Sequence, residues 1–159
     1  MRGSACAGDT ACDHARASTM KIPRTSAWVC PRCDRPFGRP NRPHTCIPGM
    51  PLEVWLGERT EPQRRAAEAV LRVVRRHQGI TVEAVSVGVL VKRERTIIEL
   101  RSKQRWLDVA FITAQPIDSE RIARVLPLAR GTYHAVHVRD AAEVDAELRG
   151  WLAAALRGR

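Results

Sequence analysis

Trp106-Leu107-Asp108-Val109-Ala110-Phe111-Ile112-Thr113 is the stretch on which the fold turns. Leu107, Val109 and Phe111 fall at every second position, with Trp106, Asp108 and Ala110 between them. A period of two puts the first three on one side of an extended strand and the others on the opposite side. One apolar and one mixed face describe a strand that covers a core on one side only, which is the habit of antiparallel sheets.

Similar runs lie on both sides of it. Upstream, Val82 to Val91 is rich in β-branched and small residues, the charged Arg93-Glu94-Arg95 reads as a turn, and Thr96 to Leu100 resumes the strand pattern. Ser102-Lys103-Gln104 makes the next turn. Downstream, Ala114 to Ser119 is a loop around Pro116, and Ile122 to Leu128 and Thr132 to Arg139 form a pair turning at Arg130-Gly131. Connections this short require antiparallel neighbours. Gly88 within the first run points to a bulge or a close approach of another backbone.

Helical signals bracket the strands. Thr60-Glu61-Pro62-Gln63 has the form of a capping box, with Ala66, Ala69, Val70, Val73 and Val74 following on one face and Gly79 as a left-handed end. Asp140 with Glu143 reads as a second capping box, and Val144, Leu148, Trp151, Leu152 and Ala155 share the face of a closing helix. Helix, about four strands, helix is an α+β order: an antiparallel sheet with both helices on one face.

Residues 27–50 differ in kind. They are dense in Pro, Arg and Cys, and too few to bury a core of their own, so a metal is the natural staple. Cys30-Pro31-Arg32-Cys33 is followed ten residues later by His44-Thr45-Cys46. Zn²⁺ takes four such ligands in a tetrahedron, and a Cys-x₂-Cys turn aims two thiolates, and its own N–H groups, at one point. Trp28 and Phe37 are placed to shield that point from water. A redox Cys-x₂-Cys needs a helix behind it, which Pro36, Pro40 and Pro43 prevent. Four protein ligands leave no open position, so the expected Zn²⁺ is structural.

Three segments follow: a tail over 1–26 without hydrophobic periodicity and so expected to be disordered, the metal module over 27–50, and the α+β domain over 51–159, joined through a turn at Pro48-Gly49-Met50-Pro51. Cys6, Cys12 and His14 in the tail lack a fourth ligand for a second site, and Met20 is an alternative start of translation. Nothing approaches the roughly 20 apolar residues of a membrane span. No secretory signal is present, which makes a cytoplasmic protein the expectation.

The string Trp28-x-Cys30-Pro31-x-Cys33-x-Arg35-x-Phe37, with Asn41 two residues before Pro43-His44-x-Cys46, resembles the zinc-ribbon-like head of uncharacterised bacterial proteins in which a domain of unknown function follows. The end of the chain is similar to theirs in its His134 to Val138 strand and its Trp151-Leu152 pair. The resemblance implies the same fold over about residues 28–157 and no particular activity.

The formal net charge is +10, and 24 of the 27 basic residues are Arg. Charge of that sign favours phosphate-bearing partners. The candidates are Arg32, Arg35, Arg39 and Arg42 in the metal module, with Arg64, Arg65, Arg72, Arg75 and Arg76 on the first helix. Aromatic residues for stacking on bases make up only 4% of the chain, with Trp106 alone exposed on a strand, so binding would be weak and indifferent to sequence. No phosphate loop, dinucleotide turn or nucleophile elbow is present. Acid–base chemistry would need Asp108 beside His134 or His137, which stand on opposite faces of one strand. A non-enzymatic zinc-binding interaction module is therefore the leading expectation, with a small enzyme using Asp108 or a weak nucleic-acid binder as the alternatives.

Overall fold

In a computed structural model of the chain, residues 28–37, 40–41, 43–44 and 46–158 are described. The tail over 1–26, with Cys6, Cys12, His14 and Met20, lies outside them, as do Arg39 and Arg42. A two-stranded hairpin opens the described chain, β1 (Trp28–Val29) against β2 (Pro36–Phe37). Then come β3 (Gly49–Met50), α1 (Leu52–Gly57) and α2 (Glu61–Val74). The strands β4 (Thr81–Val85), β5 (Gly88–Lys92), β6 (Thr96–Ser102), β7 (Leu107–Thr113), β8 (Ile122–Leu128) and β9 (Gly131–Val138) follow, and α3 (Ala146–Arg157) closes the chain.

Strands β3 to β9 form one antiparallel sheet in the order β3-β4-β5-β6-β7-β9-β8. The architecture is the α+β one expected, with α2 and α3 on a single face. Leu107, Val109 and Phe111 share that covered face with Ile98, Leu100, Val136 and Val138, and all are buried. The helices answer with Val70, Val74, Leu148, Leu152 and Leu156, also buried. The opposite face of the central strands carries Asp108, Ala110, Ala135 and His137, and none of the helices among the described residues packs over it.

Several local expectations need correction. The run from Val82 to Val91 is a hairpin rather than one strand, turning at Ser86-Val87, so the sheet has more strands than the four expected. Gly88 opens its second strand, where a Cβ would lie 2.2 Å from the Leu100 carbonyl oxygen: the close approach, not a bulge, requires glycine. Gly49–Met50 adds an edge strand against Val85 and Ala84, where a linker turn was expected. The six-residue helix α1 is too short to show a period, yet it buries Trp55 completely.

Helix ends also differ. Thr60 precedes α2 but its side chain caps nothing, and Gln63, the other half of the expected box, is drawn into the protein. Gln63 Nε2 donates to the carbonyls of Lys103 and Trp106 (2.6 and 3.1 Å), and Ser102 Oγ donates to Gln63 Oε1 (2.9 Å). Helix α2 ends at Val74 with Arg75 as its cap, well before Gly79. At the other end Asp140 and Glu143 do act reciprocally, accepting from the N–H groups of Ala142 and Arg139 (3.3 and 2.8 Å), but they close a 3₁₀ turn over Ala141–Glu143. Asp145 is the residue that caps α3, accepting from Leu148 N–H at 3.0 Å. Among the described residues no helix is long and apolar enough to cross a membrane.

Candidate metal centre

The knuckle forms because the chain reverses within six residues. Asp34 N–H donates to the Cys30 carbonyl at 2.9 Å, and Cys30 N–H donates to the Arg35 carbonyl at 3.0 Å. Asp34 takes a left-handed φ of 54°, which Asp accepts more readily than most residues because its short side chain bonds locally. The turn lets β1 and β2 pair, and it leaves Cys30 and Cys33 side by side and buried.

His44 and Cys46 close the set. Cys30 Sγ lies 3.8 Å from Cys46 Sγ, Cys33 Sγ lies 3.5 Å from His44 Nε2, and Cys46 Sγ lies 3.3 Å from the same nitrogen. All four ligand atoms fall within 4.8 Å of one another. The four residues picked out by spacing are thus brought together at one point, and they can hold a metal ion. The Phe37 ring sits 4.1 Å from the His44 ring, with Trp28 6.0 Å from Phe37, so both aromatic residues wall the cluster as expected.

Crowding sets the electrostatics. Burial raises the Cys30 thiol, but hydrogen bonds from the Arg32 and Cys33 backbone and from the Cys33 and His44 side chains outweigh it and bring the thiol down to about 6. Cys46 moves the other way, raised by burial and then by its contact with Cys30 and the charges of Cys30 and Cys33. Sulfurs this close resist ionising together, and a divalent cation among them removes the conflict.

One residue of the knuckle ties the module to the sheet, and spacing alone did not reveal it. Arg35 is buried and grips Glu83 of β4, with Nη2 donating to Oε2 at 3.2 Å and Nε reaching Oε1. Lys92 of β5 meets the same carboxylate, and its ammonium lies 6.0 Å from the Phe37 ring.

The Arg candidates separate on inspection. Arg35 is thus spent inside the protein, whereas Arg32 is exposed. Arg64 pairs with Glu61, and Arg65 with Asp140 at 2.6 Å. Arg72, Arg75 and Arg76, at the other end of α2, are exposed and make no ion pair with the described carboxylates.

His134 and His137 face opposite ways, as expected of that spacing. His134 is fully buried under the helices, where its Nε2 accepts from Ile117 N–H at 3.0 Å and so pegs the β7–β8 loop to the sheet. His137 alone meets Asp108, with Nε2 at 3.3 Å from Oδ1. The same oxygen accepts from Trp106 Nε1 at 3.1 Å, and the Trp106 and His137 rings stack at 4.3 Å. No family model, no curated protein and no solved structure matches this chain.

Proposed function

We propose that Cys30, Cys33, His44 and Cys46 bind one structural Zn²⁺, and that the chain is a non-enzymatic binding module whose metal folds its head. The observation that carries this is the ligand spacing. With Zn–S near 2.3 Å and Zn–N near 2.0–2.1 Å, the edges of a tetrahedron are about 3.8 Å between sulfurs and about 3.5 Å between sulfur and nitrogen. The Cys30–Cys46 and Cys33–His44 distances are 3.8 and 3.5 Å. Three thiolates and an imidazole select a borderline-soft ion over Mg²⁺ or Ca²⁺. All four positions being filled by protein, the metal's part is to fold the head.

Elemental analysis of the purified protein should find close to one equivalent of zinc, and Cys33→Ser should remove it. A stoichiometric metal retained by a Cys30/Cys33 double serine variant would refute the assignment.

A further inference from the structure

The uncovered face of the sheet holds a second site. A recess of about 340 Å³ opens where β7 and β9 meet the turn before β7, within the range of about 300–1,000 Å³ usual for small-molecule sites. Its wall is the stacked Trp106–His137 pair. Three exposed cations, Lys103, Arg105 and Arg124, border it, and none of them forms an ion pair with a described carboxylate. The one acid present, Asp108, is already engaged by Trp106 Nε1 and by His137.

The platform is held from beneath. Gln63 reaches from α2 to bond the Lys103 and Trp106 carbonyls, so the turn carrying Lys103, Arg105 and Trp106 is fastened to the core. Gln63 is a positioning residue here. Its recruitment leaves the Gln63 half of a capping box with Thr60 unmade.

We infer that this recess binds a nucleotide unit, with the base against the Trp106–His137 pair and the phosphate against Lys103, Arg124 and Arg105, whose guanidinium lies over the Trp106 ring at 5.7 Å and turns aside to admit the base. Aromatic faces combined with a cationic rim are the chemistry by which proteins take unpaired bases. A guanidinium matches a phosphate bidentately. Duplex does not fit, because its bases are already stacked on one another. The same contacts serve a free nucleotide and one within a single strand. The site lies on the α+β domain and goes beyond the metal assignment, so zinc content measured on the same samples keeps the two apart.

The test is a titration of the full-length, zinc-loaded protein, followed by anisotropy with labelled single-stranded DNA and RNA of mixed sequence, and by calorimetry with a mononucleotide. Single strands should bind more tightly than duplex, and affinity should fall with salt. Trp106→Ala should weaken binding roughly 5- to 150-fold, the range seen when one stacked base loses its platform. Trp106→Phe should restore most of it, which a purely structural role for the indole hydrogen bond would not allow. Arg105→Ala with Arg124→Ala should lower the log–log salt slope for single strands by about 1.4, at about 0.7 per phosphate contact. Arg72→Ala with Arg75→Ala removes the same charge from the far end of α2 and should leave binding unchanged. Binding of the mononucleotide without the oligonucleotide would support the site and identify its source as the free nucleotide. Equal losses from the two double variants, tighter binding to duplex, or no complex at micromolar protein in 50 mM salt would each overturn the proposal.

Discussion

The head and the sheet domain are held together by opposite means. From Trp28 to Cys46 the described side chains that are buried are Cys30, Cys33 and Arg35, two of them metal-ligand candidates and the third a cation. The sheet domain buries Phe111, Ile98, Leu100, Leu107, Leu148, Leu152 and Leu156 in one continuous core. On the proposed reading the first region depends on coordination and a little charge, and the second on apolar area removed from water. Stability of the two should respond to different insults, and the ion pair that joins them, Arg35 with Glu83, should report on both.

The largest effects should cross. Chelating the metal from the intact protein should melt the head, as loss of several kcal/mol of coordination does in small zinc modules, while the sheet domain keeps a cooperative thermal transition. Phe111→Ala should do the reverse, lowering the stability of the sheet domain by about 3–5 kcal/mol while the protein, where folded, still carries one zinc. Circular dichroism melts with and without chelator separate the cases. If chelation abolished the cooperative transition, the head would be part of the main core and the contrast would fail.

The joining contact should give a smaller change. Burial alone would raise the Glu83 carboxyl, but Arg35 and Lys92 hold it below the usual glutamate range. Its contribution is then present above the ordinary glutamate pKa and disappears as pH falls through the depressed one. Glu83→Gln should cost about 1 kcal/mol at neutral pH, discounted for the water that reaches the pair. The gap between wild type and variant in denaturant melts should close on acidification. A gap that widened in acid would mean the carboxylate is not what Arg35 binds to.

The smallest effect tests the helix ends. Asp145→Ala should cost about 1 kcal/mol, since Asp145 caps α3 and also accepts from Arg121 at 2.8 Å. Thr60→Ala should cost almost nothing, because no hydrogen bond is lost. Equal losses at the two positions would show that Thr60 caps α2 in solution.

The same contrast explains what could be read from the residues. Ligand types at fixed spacing speak directly of a metal, because coordination needs only four atoms at one point, and Cys30, Cys33, His44 and Cys46 meet there. The alternation through Leu107, Val109 and Phe111 was equally legible, because a core on one side of a sheet enforces it. Features decided by distant neighbours were not. The turn at Ser86-Val87 hides in a β-branched run, and Gln63 leaves its capping role for carbonyls some forty residues away. Arg35 looked like one more surface charge until Glu83 came to meet it. The Trp106 recess depends on β9 lying beside β7, which no local spacing encodes.

Strand β8 is the outer edge of the sheet and presents Val125, Leu126 and Leu128 to solvent, an invitation to further strands. The register answers it. Leu128 faces Gly131 across a two-residue turn, so the backbone groups of Leu128 and Leu126 are spent on β9 while those of Val125 and Pro127 point outward. Proline has no N–H to offer there. An incoming chain would find a donor missing near the turn end of the outward row, and an irregular register near Ile122 and Arg124 at the other end. Both features shorten the stretch of that edge along which a second strand could pair in register.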